Sequence, residues 1–328
     1  MRLYDVPAPA KLNLFLHVTG RRDDGYHLLQ TVFRFVDLAD TLSFERRTDG
    51  VVECENSLPG LAPENDLILK AARALQQATG TRLGAQISCV KNIPAGGGLG
   101  GGSSDAASTL IALNRLWETG LSRRQLMELA LPLGADVPVF IFGRAAFAQG
   151  VGELLTAVDL PERSYVIARP AQHVSTIDVF ADPDLTRNTK SIKITVFTDW
   201  LERNAGLNRV NPGVANPKVA NPGVVKPEEA GLFSLGEFGR NDLEPVVRAR
   251  YEKVEKALAF FAKQNIQARM SGSGACIFAQ FATYKQAVFA QQQIIGKIPN
   301  CGDTGPVIDA VWACRGLVNH PLRYWTKD

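Results

Sequence analysis

Six of the seven positions from Gly96 to Gly102 are glycine, within NIPAGGGLGGGSSDAASTLIALNRLW at residues 92–117. So bare a backbone costs entropy on folding, but it lets the main chain approach a ligand closely and adopt positive φ. Ser103 and Ser104 follow, then a segment that reads as a helix from about Asp105 to Trp117. A helix N-terminus carries unpaired N–H groups and a partial positive charge. Pro94, Ala95, Gly96, Gly97, Gly98, Leu99, Gly100, Gly101, Gly102, Ser103 and Ser104 therefore read as an anion cradle, most often one for phosphate, with a tight turn or linker as the alternative. The Walker pattern fails because no lysine follows the glycines. A dinucleotide loop should follow the first strand and lead to a ribose-binding acid, and this run stands too far along the chain, with no such acid after it.

Phosphoryl transfer to a hydroxyl needs charge stabilisation, alignment and a group that accepts the hydroxyl proton. Asp136 in LGADVPVF is a candidate carboxylate, although before Val137 and Pro138 it reads, on its own, first as a helix N-cap. Lys11 projects from the first strand between apolar neighbours, and Asn13, two residues on, shares its face. Both can be plain exposed strand residues. Tyr26 and His27 follow a turn and can be packing plus a surface histidine. Asn65 and Asp66 in ENDLI suit a helix cap. In MSGSGAC, Gly272 and Gly274 beside Ser271 and Ser273 form a second glycine turn.

These residues need elements to hold them. AKLNLFLHVTG alternates as a strand, and the turn at Asp23, Asp24 and Gly25 leads into a second. ENDLILKAARALQQATG reads as a helix closed by Gly80, and RLGAQISCVKNIP as a strand ending at Pro94. SRRQLMELALPLG predicts a helix, and VPVFIFGRAAFAQGVGELLTAV predicts strands and a turn. SYVIARP, ACIFAQF and DAVWACRGL read as strands. NDLEPVVRARYEKVEKALAFFAKQN reads as one long amphipathic helix and YKQAVFAQQQIIGK as another. Strands and helices mix without strict alternation, which predicts an α+β fold, divided into residues 1–158 and 159–328. A threefold Asn-Pro-x-Val repeat at residues 211–225 predicts a surface-loop insertion, at about 203–228, without catalytic role.

Composition narrows the function. The 328 residues carry a net charge of +3, with 45% hydrophobic and 21% charged residues, ordinary for a soluble globular protein. The charge suits an anionic small molecule, and no lysine–arginine run argues for nucleic acid. Five scattered cysteines and four histidines argue against a disulfide framework or a built zinc site. No segment is apolar enough to span a membrane, and the N-terminus lacks signal-peptide order. A cytoplasmic protein is expected.

PAPAKLNLFLHV, DGYHLLQTVF, IPAGGGLGGGSSDAA, LGADVPVF and SGSGACIF, in that order, resemble the motifs of the GHMP small-molecule kinases. The likeness runs nearly continuously through the N-terminal half and resumes after the proline repeat. The GYH and GADVP elements set the chain apart from the mevalonate and homoserine kinases of that family. The resemblance implies a two-domain fold, with an N-terminal domain like ribosomal protein S5 domain 2 and a ferredoxin-like C-terminal domain. It implies ATP as co-substrate, with Mg2+, and a cytidine diphosphate-linked methylerythritol as the alcohol, in the non-mevalonate isoprenoid route. The protein is expected as a monomer or weak homodimer, with no nucleic-acid or membrane partner. By the same resemblance Asp136 accepts the hydroxyl proton and Lys11 pairs with it. A nearby ammonium lowers the hydroxyl's pKa and offsets charge during transfer. The glycine run, Asn65 and Asp66 belong to the ATP side. Asn13, Tyr26, His27, Thr176, Phe180 and Gly272 belong to the substrate side, Tyr26 and Phe180 as a sandwich for the cytosine. A regulatory nucleotide sensor and a nicotinamide oxidoreductase are the competing readings. Retention of both Lys11 and Asp136 argues against the first, and the position of the glycine run against the second.

Overall fold

The structure is a computed structural model that describes residues 1–56, 62–205, 238–299 and 305–328. The Asn-Pro-x-Val repeat lies outside the described residues. In chain order the elements are β1 (Arg2–Arg21), β2 (His27–Arg47), β3 (Val52–Cys54), α1 (Leu67–Thr79), β4 (Gly84–Val90), α2 (Gly101–Leu116), α3 (Arg123–Ala130), α4 (Val137–Phe142), β5 (Ala146–Gln149), β6 (Leu154–Ala157) and β7 (Ser164–Pro170). There follow α5 (Thr176–Ala181), α6 (Ile194–Ala205), α7 (Glu244–Arg250), α8 (Glu252–Lys263), β8 (Ala268–Met270), β9 (Ile277–Phe281), α9 (Tyr284–Ile295) and β10 (Ile308–Leu317).

Two long strands organise the first half. β1 and β2 pair antiparallel along almost their whole length. The register slips between Pro9 and Lys11 and again between Asn13 and Leu16. Irregularities of this kind bend a strand and re-aim its side chains, and here they bracket Lys11 and Asn13. β2 pairs with β5 through Thr31–Phe33 and with β4 through Thr41–Arg47, and β3 adds to β4 in parallel. The helices α1 to α4 cover this sheet over a core that includes Phe33, Phe35, Phe44, Leu110, Leu113 and Phe140. In the second half β10, β7, β9 and β8 form an antiparallel sheet, packed with α8 and α9 around Phe260, Phe261, Ile277 and Ile294.

Several contacts join the halves. A shared core sets Leu12, Phe15 and Val32 with Tyr165, Ile167 and Phe278. β10 also pairs with β2 through Gly316 and Leu317. Beyond it the C-terminal tail returns to the first half: the Arg123 amide donates to the Lys327 carbonyl at 2.7 Å, and Leu322 joins the first core.

Three element expectations are corrected. The segment VPVFIF is a helix, α4, with Pro138 in its first turn and Gly143 closing it at φ 73. A short apolar run does not tell a buried helix from a buried strand; Pro138 in the first turn and Gly143 just past the end are the start and stop signals of a helix. The long amphipathic helix is two helices, α7 and α8, broken at Tyr251 with φ −119 and ψ 90. The helix after the glycine run starts at Gly101, inside the glycines.

Candidate active site

β1, the glycine run, α4 and the loop between β8 and β9 converge on one cleft of about 1000 Å3. At its centre Lys11 Nζ lies 3.1 Å from Asp136 Oδ2. The two are held differently. Lys11 is almost fully buried; its ammonium donates to Asn13 Oδ1 at 2.5 Å and lies 5.3 Å from the Phe33 ring centre. Asn13 is fixed in turn by donating to Thr31 Oγ1 at 2.9 Å. Asp136 is 36% exposed in its side chain and faces the cleft. It occupies the N-cap position of α4 but does not cap it, so the chemistry of its carboxylate is turned to Lys11 and the cleft rather than to its helix.

The glycine run packs between these residues and the second glycine loop. Gly100 is the N-cap of α2 at φ 73, and α2 has no side-chain cap, which leaves its first N–H groups for a ligand. A Cβ on Gly100 would stand 3.1 Å from Lys11 Cε. At Gly98, φ 72, a Cβ would stand 2.3 Å from the Ser271 carbonyl oxygen. Ser271 Oγ donates to the Gly98 carbonyl at 3.2 Å and accepts from the Asn13 amide at 3.2 Å. Part of the glycine content thus answers to close packing against Lys11 and Ser271.

The other expected site residues fall along the same cleft. Pro94 to Ser103 line it, as do Asn65, Asp66, Asn13, Tyr26, His27, Thr176, Phe180 and Gly272. Ser104 does not: it is fully buried in the helix packing, leaving Ser103 as the first-turn hydroxyl on the cleft. Asp66 caps α1 by accepting from the Ile68 amide at 2.8 Å. Thr176 Oγ1 lies 2.7 Å from Ser273 Oγ. The His27 and Phe180 rings lie 5.0 Å apart at 34°, and Tyr26 is 63% exposed at the cleft mouth.

Two sets of residues were missed by sequence reasoning. Lys91 Nζ pairs with Asp105 Oδ2 at 2.5 Å and with Asp40. Asp40 Oδ1 accepts from the Asn92 and Ile93 amides at 2.6 and 2.8 Å. This triad clamps the entry of the glycine run to the first turns of α2. Burial pushes the Asp105 carboxyl up to about 7, with Lys91 opposing and Asp40 adding. Arg187 is the second, donating to His27 Nε2 at 3.0 Å. Among the described residues no cluster of three or more His, Cys, Asp or Glu is placed to hold a metal. None of the described helices is long and apolar enough to cross a membrane.

Comparison with known proteins decides what such a cleft belongs to. Residues 66–144 match the model of the GHMP kinases N terminal domain, and residues 232–299 that of the GHMP kinases C terminal. The chain is 55% identical over 329 residues to the 4-diphosphocytidyl-2-C-methyl-D-erythritol kinase of Bordetella parapertussis, covering 99% of each. The chain belongs to the GHMP kinases. The kinase of that same name from Cupriavidus taiwanensis is 49% identical over 98% of this chain and 95% of its own. A crystal structure of 4-(cytidine 5'-diphospho)-2C-methyl-D-erythritol kinase matches with a TM-score of 0.70 and 29% identity, covering 96% of this chain and 99% of that one. The α+β, two-domain fold expected from the motifs is the fold found. This GHMP kinase is a phosphotransferase that takes ATP as co-substrate and acts on a small molecule.

Proposed function

We propose that this kinase transfers the γ-phosphoryl group of ATP to the 2-hydroxyl of 4-diphosphocytidyl-2-C-methyl-D-erythritol, in the non-mevalonate route to isoprenoid precursors. The observation that carries the reading is the Lys11–Asp136 pair at 3.1 Å, set beside a phosphate-type glycine loop. In this reading Asp136 accepts the hydroxyl proton as the oxygen attacks the γ-phosphorus and the bond to ADP breaks. Lys11 offsets the charge that gathers on the oxygens in flight. The N–H groups of the glycine loop and of the uncapped α2 terminus hold the triphosphate, with Asn65 and Asp66 on the nucleotide side. Asn13 and Thr176 orient the polyol, and Gly272 lets the chain approach it. Tyr26 and Phe180 sandwich the cytosine, and His27 reads its edge.

Mg2+ enters with ATP. The residues present fit it modestly: Ser103 offers a hydroxyl at the triphosphate end, while the nearby carboxylates of Asp40, Asp105 and Asp136 are engaged by lysines. When bound, the ion neutralises phosphate charge. The division after residue 158, action as a monomer or weak homodimer, a cytoplasmic location and the lack of a nucleic-acid or membrane partner belong to the same reading. A net charge of +3 without a basic run supports the last of these.

Stacking on an aromatic face supplies affinity with little base discrimination, about 1 to 3 kcal/mol per base. Tyr26→Ala is therefore expected to raise KM for the cytidylyl substrate about tenfold, while KM for ATP stays near wild type. Steady-state ADP release against each substrate in turn measures both. An equal rise in the two KM values would remove Tyr26 from the substrate side.

A further inference from the structure

One ring nitrogen of His27, Nε2, is held by a group that never accepts a hydrogen bond. Arg187 Nε donates to His27 Nε2 at 3.0 Å. The rest of that guanidinium is committed to backbone carbonyls: Nη2 donates to Phe180 O at 3.0 Å and Asp182 O at 2.6 Å, and Nη1 donates to Leu185 O at 3.1 Å. Arginine has donors only, and these carbonyls keep it from swinging aside. His27 Nε2 must then be an acceptor at all times. The neutral ring carries its proton on Nδ1, the nitrogen left for the cleft that the ring lines. Burial, with the charge of Arg187 next, lowers the pKa of His27 and favours that neutral form. The Phe180 ring at 5.0 Å fixes the plane of the imidazole.

We propose that Arg187 is a specificity-determining positioning residue, which locks His27 as an Nδ1–H donor and thereby excludes uracil from the base site. The inference rests on the proposed reading of the cleft as a cytosine site. Cytosine presents an unprotonated N3 at its pairing edge, and uracil presents N3–H there. A histidine free to change tautomer serves either base, accepting from one and donating to the other. A histidine locked as a donor serves cytosine and meets uracil with two opposed N–H groups. Such a mismatch leaves buried polar groups unpaired, and specificity then comes from rejecting the wrong partner. Arg187 touches no substrate in this scheme; it acts through His27.

Two measurements test it. The first is kcat/KM for the cytidylyl substrate and its uridylyl analogue, in wild type and in Arg187→Met. Wild type is expected to prefer cytidine, and Arg187→Met to narrow that preference about tenfold, the scale of one unpaired buried group, with KM for ATP unmoved. A preference that survives in Arg187→Met, or efficiencies that fall in equal proportion for both substrates, overturns the inference. Lack of any preference in wild type overturns instead the cytosine reading on which it rests. The second is a long-range 1H–15N spectrum of the wild-type protein, assigned through His27→Gln, which needs no substrate and no stable Arg187 variant. A protonated Nδ1 and unprotonated Nε2 are expected; a protonated Nε2 refutes the lock.

Discussion

Asp136→Asn is expected to lower kcat by about 10²- to 10⁴-fold, the usual cost of losing a general base, while ATP affinity stays near wild type. The carboxamide keeps the shape of the side chain but cannot take the hydroxyl proton. Structural damage should be small, because Asp136 is partly exposed and makes no capping bond to α4. Lys11 keeps its bond to Asn13 at 2.5 Å and its place over Phe33. The two effects separate by experiment: nucleotide affinity by titration calorimetry, turnover by ADP release under saturating substrate. A variant that keeps more than half of wild-type turnover would deny Asp136 the role of base.

Lys91→Met is expected to destabilise the fold by about 3–5 kcal/mol, the cost of leaving buried charge without its partner. For a chain of this length that corresponds to a fall in Tm of roughly 4–7 °C. Both carboxylates that Lys91 serves are buried, Asp40 fully and Asp105 nearly so. The deficit should depend on pH in a defined sense. Asp105 titrates near 7 when folded against a reference of 3.8. Its contribution to stability is therefore complete below the reference value and lost as pH rises through about 7. Without Lys91 the carboxyl has more reason to protonate, so the variant should recover part of its stability between pH 8 and pH 6. Calorimetric melts at the two pH values measure this. An unchanged Tm at pH 8, or a deficit that grows towards pH 6, would contradict the clamp. Because the triad ties the entry of the glycine run to α2, KM for ATP should rise in the same variant.

What the sequence made legible, and what it hid, follows from how local each signal is. The glycine run, the strand bearing Lys11 and the GADVP segment are contiguous patterns, and they led to one cleft. The second role of the glycines was hidden, because the contact of Gly98 with Ser271 spans residues far apart in the chain. The segment of α4 reads as strand in the sequence because six apolar residues carry no usable period. The break at Tyr251 was invisible because both helices present apolar faces at helical spacing. Arg187, in the unpatterned segment ADPDLTRN, has meaning only once α5 brings Phe180 against His27. Asp40 lies fifty-one residues from the lysine that answers it, and only the packing of β2 against β4 joins them. The proposed substrate sandwich rests on family motifs rather than on residue chemistry, since Tyr26 and His27 alone read as an ordinary strand start.

In the proposed reaction this cleft moves a phosphoryl group from ATP to one particular hydroxyl. Phosphorus NMR of the product tests it directly, using purified enzyme, ATP with Mg2+, and 4-diphosphocytidyl-2-C-methyl-D-erythritol labelled with carbon-13 at C2. A new phosphomonoester resonance coupled to the labelled C2, growing in step with ADP and absent with Asp136→Asn, is the expected result. ADP release without a phosphomonoester, or a phosphomonoester on another carbon, would contradict it.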